Sequence, residues 1–127
     1  MSLYLDASAI TKLVVDEGES AALERAVAGE ALVSSRLAVV EVTKAVARAD
    51  PDADPWAVLS RLAFVEIDAD LARLAGGTGG PSLRAIDAVH VASALRLAPE
   101  IEAFVTYDDR QAEAAHAAGL RVVSPTP

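Results

Sequence analysis

Short apolar runs alternate along the chain with longer segments whose apolar residues recur at helical spacing. Five runs bounded by Asp, Ser or Gly predict strands: Leu3–Leu5, Ala31–Ser35, Phe64–Asp68, Ala103–Thr106 and Leu120–Ser124. The segments between them predict helices: Ala9–Glu17, Ser20–Ala28, Leu37–Ala49, Pro55–Leu62, Ala69–Ala75, Leu83–Leu97 and Arg110–Ala118. Strands separated by helices predict an α/β fold with a parallel sheet and helices on its faces.

Length and composition narrow the class of protein. The 127 residues suit a single domain, and the absence of cysteine excludes disulfides, thiol nucleophiles and cysteine-based zinc sites. The start "MSLYLDASAI" lacks a basic segment followed by an apolar run, and no stretch approaches the roughly 18 apolar residues of a membrane span. We therefore expect one cytoplasmic domain, residues 1–127, with no membrane partner.

Two acidic residues follow predicted strands directly. Asp6 ends the first strand in "LYLDAS", and Asp108 follows the fourth in "FVTYDD". Ligands of open parallel sheets bind just beyond the carboxyl ends of the strands, which makes both residues candidate ligand contacts. Each also precedes a predicted helix that an aspartate would cap, and Asp108 with Gln111 has the spacing of a capping box. The pattern leaves capping and binding open for both.

Two further acids lie on largely apolar helices, where an unpaired carboxylate is costly. Glu41 lies in "RLAVVEVTKAVAR", with Lys44 at the i+3 position as an ordinary surface partner. Asp87 lies in "RAIDAVHVASAL", with Arg84 and His90 as its only polar helical neighbours. A structural pair between Asp87 and either neighbour is therefore an alternative to a functional role.

One site at the carboxyl edge of the sheet would explain all four acids together. Two carboxylates about 4 Å apart repel by roughly 4 kcal/mol at an effective dielectric near 20, so four of them require cations. Oxygen ligands without cysteine favour Mg²⁺ or Mn²⁺, and such ions suit phosphodiester hydrolysis because they lower the pKa of a bound water. Eleven basic and nineteen acidic residues give a net charge of −8, so binding of a nucleic acid needs local compensation, which bound ions could supply in part and a basic partner could also supply.

The order of these motifs resembles a known family over essentially the whole chain. The segments "YLDASAITKLVVDE", Glu41, "LRAIDAVHVASAL" and "FVTYDDRQAEAAHAAGL" resemble the PIN-domain ribonucleases, specifically the VapC toxins of type II toxin–antitoxin systems. The resemblance implies a three-layer α/β/α sandwich with a central parallel sheet of about five strands. It also implies an endoribonuclease that requires Mg²⁺ or Mn²⁺, acts on tRNA or rRNA, forms a homodimer and is neutralised by a VapB-type antitoxin.

The resemblance assigns roles to individual positions. It makes four acids the catalytic and metal-binding residues: Asp6, Glu41, Asp87 and Asp108. Hydroxyl residues at Ser8 and Thr106 match the family's support for the first and last acid, and three more family-like positions are expected to support the site: Lys12, Arg84 and His90. Asp109 stands where the family often has a basic residue, which makes it a possible additional acid, although the T-x-D register favours Asp108.

Two other functions remain open from the residues. A Mg²⁺-dependent phosphohydrolase of haloacid-dehalogenase type would use Asp6 as a nucleophile, but that chemistry usually places a second aspartate at the position of Ser8. A PIN-like protein without activity would serve as a binding module or scaffold. The presence of all four acids favours an active enzyme over this alternative.

Overall fold

The computed structural model describes residues 1–127 and contains one sheet of five parallel strands in the order β3-β2-β1-β4-β5. The strands are β1 (Ser2–Leu5), β2 (Ala31–Ser35), β3 (Leu62–Val65), β4 (Ile101–Val105) and β5 (Val122–Val123). The helices are α1 (Ala7–Val14), α2 (Ser20–Val27), α3 (Leu37–Ala49), α4 (Trp56–Leu59), α5 (Ala69–Gly76), α6 (Ala85–Leu97) and α7 (Asp109–Ala117).

Two apolar clusters cover the two faces of the sheet. Leu3 and Leu5 of β1 point into a cluster shared with α1 to α4, whereas Tyr4 between them points into a second cluster with α5 to α7. This alternation is the two-residue period of a strand that is buried on both faces. The predicted three-layer α/β/α sandwich is confirmed. None of the helices is long and apolar enough to cross a membrane.

The predicted position of the third strand is wrong. The strand spans Leu62–Val65, where Leu62 pairs with Leu32, and it overlaps the predicted segment Phe64–Asp68 at only two residues. The alternation of apolar and polar residues continues past the true end of the strand, but Asp68 accepts a hydrogen bond from the backbone N–H of Leu71 at 2.8 Å and caps α5 instead. Because the strand begins early, α4 is also shorter than predicted.

The loop between α5 and α6, which contains "GGTGGP", depends on one glycine. Gly79 has a φ of +70°, and a Cβ atom added there would lie 2.5 Å from Leu83 Cδ2. This loop leads directly to Arg84, the N-cap residue of α6. Gly79 therefore fixes the path by which the chain enters α6.

We expect Gly79→Ala to destabilise the fold by about 1–2 kcal/mol, because an L-residue is strained in the left-handed region. Gly80→Ala is the matched control, since its Cβ would meet no atom within 4 Å and its φ is not positive. Urea unfolding of both variants measures the difference. Equal stability of the two would show that the loop rearranges freely.

Candidate active site at the carboxyl edge of the sheet

A cavity of about 160 Å³ opens where β1 and β4 end, and the four predicted acids line it. Its complete lining is Asp6, Ala7, Ser8, Glu41, Arg84, Ile86, Asp87, His90, Asp108 and Gln111. Asp109 is not among these residues and is exposed in the first turn of α7. The structure thus brings together the four acids, which come from four separate segments of the chain, and leaves Asp109 outside.

Asp6 follows β1, is buried and caps α1. Its Oδ1 accepts hydrogen bonds from Ser8 Oγ at 2.6 Å and from the backbone N–H of Ala9 at 3.1 Å, and its Oδ2 accepts one from Thr106 Oγ1 at 2.5 Å. Burial raises the pKa of Asp6, and the hydrogen bonds from the two hydroxyls partly oppose that rise. A cation nearby would favour the ionised carboxylate. Capping, the simpler interpretation, is therefore present and does not prevent a second role.

Ser8 and Thr106 connect the ends of two neighbouring strands. Their hydroxyl oxygens lie 3.3 Å apart, and each accepts a hydrogen bond from a backbone N–H of the segment that follows β4. The backbone N–H of Tyr107 donates to Ser8 Oγ at 2.9 Å, and that of Asp108 donates to Thr106 Oγ1 at 3.0 Å. The two hydroxyls therefore hold Asp6 and the segment that carries Asp108 in a fixed relation.

Glu41 is held by a histidine from another helix. Its Oε1 lies 2.7 Å from His90 Nε2, and the other ring nitrogen, Nδ1, lies 2.8 Å from the Tyr4 hydroxyl. With Glu41 ionised, a neutral imidazole satisfies both bonds by carrying its proton on Nε2 and accepting from Tyr4 at Nδ1. Burial raises the pKa of Tyr4, which keeps that hydroxyl protonated. The surface pair between Glu41 and Lys44 is absent.

Arg84 compensates the carboxylate of Asp87 and reaches a second acid. Its Nε and Nη2 donate to the two oxygens of Asp87 at 2.8 and 3.1 Å, and Nη2 lies 3.4 Å from Asp108 Oδ2. Asp87 is 2% exposed, whereas the Arg84 side chain is 49% exposed. The Asp87–Arg84 pair considered from the sequence is therefore present, and a hydrogen bond between Asp87 and His90 is not. Asp108 also caps α7.

The sequence model of the PIN domain matches residues 3–117. The chain belongs to the PIN-domain family. Ribonuclease VapC46 of Mycobacterium tuberculosis (strain ATCC 25618 / H37Rv) is 39% identical over 128 residues, which cover 98% of each protein. Ribonuclease VapC35 of M. tuberculosis (strain CDC 1551 / Oshkosh) is also 39% identical, over 97% of this chain and 96% of that protein. The predicted resemblance to VapC-type PIN ribonucleases is confirmed.

A solved structure shares the fold of this PIN-domain chain. The crystal structure of M. tuberculosis VapC20, described as a sarcin–ricin loop cleaving toxin, superposes with a TM-score of 0.74. The match covers 99% of this chain and all of VapC20, at 17% sequence identity. At that identity the likeness concerns the fold, and it agrees with the sandwich described above.

The donor set of the PIN-domain cavity fits a hard divalent cation. Its acidic ligands are all carboxylates, no thiolate is available, and hydroxyls rather than ammonium groups support Asp6. No three carboxylate or imidazole groups lie close enough together to share one ion directly. Mg²⁺ in proteins commonly keeps several waters and contacts one or two carboxylates, so the set suits an ion bound partly through water. Dependence on a divalent metal is general among PIN-domain ribonucleases.

Gln111 is a buried residue of the site for which the sequence predicted only a role in capping α7. Gln111 is 2% exposed, and its Nε2 donates to the backbone oxygen of Asp87 at 3.2 Å. This bond connects α7 to α6 beneath two of the acids. A glutamine three residues after an N-cap aspartate signals a helix start, but nothing in that spacing reveals a contact with a residue 24 positions earlier.

Proposed function

We propose that this chain is a divalent-metal-dependent endoribonuclease toxin of the VapC type, which hydrolyses phosphodiester bonds of RNA. The observation that carries the proposal is the convergence of four carboxylates from four segments on one small cavity. Similarity over nearly the full length to proteins named ribonucleases supports the same activity. A dehalogenase-type phosphohydrolase is not favoured, because Ser8 occupies the position of its second aspartate and supports Asp6 through a hydrogen bond.

Asp6 and Asp87 are the proposed direct ligands of Mg²⁺ or Mn²⁺, because they are the two most buried acids of the cavity. Glu41 and Asp108 complete the site through water or at a second ion. When bound, such an ion supplies the positive charge that binds a phosphate oxygen and lowers the pKa of an attacking water.

The remaining side chains of the cavity fix the acids in place. Ser8 and Thr106 hold both oxygens of Asp6, and His90 holds Glu41 through one oxygen, which leaves the other free. Arg84 neutralises Asp87 in the absence of a metal, and it is the only arginine or lysine that lines the cavity. The hydroxyl and imidazole contacts hold Asp6 and Glu41 in position before a substrate arrives. Arg84 has to give up a contact with Asp87 when that carboxylate binds a metal directly.

The family relationship suggests the partners. We propose an RNA substrate of the tRNA or rRNA class, a VapB-type antitoxin that covers the site, and a homodimer. The substrate named for VapC20, the sarcin–ricin loop, is one rRNA element to include in a screen. The whole of residues 1–127 forms a single PIN domain in this proposal, and cleavage of cellular RNA places its action in the cytoplasm.

The test is cleavage of tRNA, rRNA and sarcin–ricin loop oligonucleotides with Mn²⁺ or Mg²⁺, and with EDTA as the metal-free condition. We expect cleavage with metal only. Asp108→Asn should lower the rate at least about tenfold, the equivalent of about 1.4 kcal/mol in the barrier, whereas Asp109→Asn should leave it unchanged. Equal loss in both variants would contradict the assignment of Asp108. Cleavage that persists in EDTA would contradict the metal dependence.

A further inference from the structure

A groove of about 580 Å³ lies beside the acid-lined cavity, between α1 and α3. The two share three lining residues, Ala7, Ser8 and Glu41, so the groove continues directly from the candidate active site. An RNA strand whose scissile phosphate lies at the acids has to leave the cavity along a surface of this kind. The charges of the groove decide whether this one suits a polyanion.

Three cations line the groove, and two of them have no ionic partner. Lys12 pairs with Glu17 at 2.8 Å and with Glu19 at 3.0 Å, so its charge is compensated. Lys44 and Arg48 are exposed and form no ion pair, although acidic residues outnumber basic ones in this chain by nineteen to eleven. Uncompensated cations of this kind attract phosphate.

The two unpaired cations lie on the same helix, α3, as Glu41. Lys44 and Arg48 follow Glu41 by three and seven residues, so all three lie along one stripe of the helix. At a rise of 1.5 Å per residue, Arg48 lies about 10 Å along the helix axis from Glu41. The ring of Tyr107, which also lines the groove, has Lys12 over it at 5.1 Å, so that face is not free for a stacked base.

We propose that Lys44 and Arg48 bind consecutive phosphate groups of the RNA strand on one side of the scissile bond. The assignment rests on the proposed ribonuclease function and adds to it the path of the substrate. Contacts to phosphate position a strand without reading its sequence, so the two side chains set affinity and register rather than the choice of base.

The experiment measures binding of a short fluorescein-labelled oligouridylate by anisotropy across a range of KCl concentrations, in EDTA so that no cleavage occurs. Each phosphate contact with a single strand contributes about 0.7 to the slope of log K against log salt concentration. We expect the double variant Lys44→Ala, Arg48→Ala to reduce that slope by about 1.4. The same variant should raise the KM for cleavage more than it lowers kcat, because Lys44 and Arg48 lie outside the acid-lined cavity.

Arg25→Ala with Arg121→Ala is the matched control. These residues are also exposed and without an ion pair, they lie outside the groove, and Arg25 occupies the last turn of α2 as Arg48 does in α3. Both double variants remove two positive charges, so they have the same net charge. The control should keep the slope of the wild-type protein.

The possible results distinguish failure of the proposed RNA path from failure of the proposed ribonuclease function. An equal loss of slope in both double variants, or no loss in either, would overturn the assignment of Lys44 and Arg48 while wild-type cleavage of RNA still supports the nuclease. Failure of the wild-type protein both to bind the oligouridylate and to cleave any RNA would overturn the function itself, and the path with it. Thermal unfolding of each variant shows whether a change in binding reflects a change in folding.

Discussion

Replacement of Asp87 by asparagine is expected to abolish both RNA cleavage and the stabilisation of the fold by Mn²⁺. Loss of a direct metal ligand should reduce the cleavage rate at least about a hundredfold, the equivalent of about 2.7 kcal/mol in the barrier. At free metal about 100 times its Kd, the wild-type protein should gain roughly 2.7 kcal/mol in the free energy of unfolding. For a domain of this size that gain is several degrees in Tm.

The metal-free protein should tolerate the same change. An asparagine still offers an oxygen to Arg84, and the half-exposed guanidinium of Arg84 regains water where the second contact is lost. We therefore expect Asp87→Asn to alter the unfolding free energy in EDTA by less than about 1 kcal/mol. Thermal unfolding of the wild-type protein, Asp87→Asn and Asp109→Asn, each in EDTA and in Mn²⁺, gives every comparison needed.

A different pattern would identify Asp87 as a purely structural residue. If Mn²⁺ leaves the wild-type Tm unchanged and Asp87→Asn unfolds early in EDTA, the carboxylate serves only its pair with Arg84. The control Asp109→Asn should respond to Mn²⁺ as the wild-type protein does, since that side chain lies outside the cavity.

Replacement of His90 by alanine is expected to cost about 2–4 kcal/mol in the free energy of unfolding and to weaken metal binding. The ring is 1% exposed and contacts a buried Tyr4 hydroxyl, so its removal leaves a cavity and takes away a hydrogen-bond partner of that hydroxyl. It also releases Glu41, whose carboxylate has no other side-chain hydrogen bond. Urea unfolding and calorimetric titration with Mn²⁺ measure the two effects separately.

Tyr4→Phe is the matched variant that separates packing from positioning. It removes the hydrogen bond between the Tyr4 hydroxyl and His90 Nδ1, keeps the ring stacked on Phe104 and leaves the contact between His90 and Glu41. We expect a cost of about 1 kcal/mol in stability and an unchanged Kd for Mn²⁺. If His90→Ala also left that Kd unchanged, His90 would be a packing residue and Glu41 would not depend on it.

The architecture could be predicted from local patterns because each strand and helix carries its own periodicity. The third strand shows the limit of this reasoning. The segment "FVEID" alternates as a half-buried strand does, but the register is set by pairing of Leu62 with Leu32, and no local pattern encodes a partner 30 residues away. Asp68, included in the predicted strand, instead forms a helix cap.

In the candidate site, too, local contacts could be predicted from the sequence and distant ones could not. The pair between Arg84 and Asp87 follows the helical i, i+3 rule and could be anticipated. The same rule suggested Lys44 as the partner of Glu41, whereas the structure supplies His90 from 49 residues away. Tyr4 gave no signal at all, since an aromatic residue in a strand is ordinary core until its hydroxyl is seen against an imidazole.

The short outer strands of the sheet restrict how another chain can associate with it. One edge is β3, four residues bracketed by the exposed charges of Arg61 and Glu66, and the other is β5, only two residues long. Two residues after β5 comes Pro125, which has no N–H to donate and whose carbonyl accepts a hydrogen bond from the Tyr107 hydroxyl at 2.6 Å. Extension of the sheet by a foreign strand is thereby disfavoured at both edges, so fibril-like stacking is resisted and any partner has to dock against helices or loops.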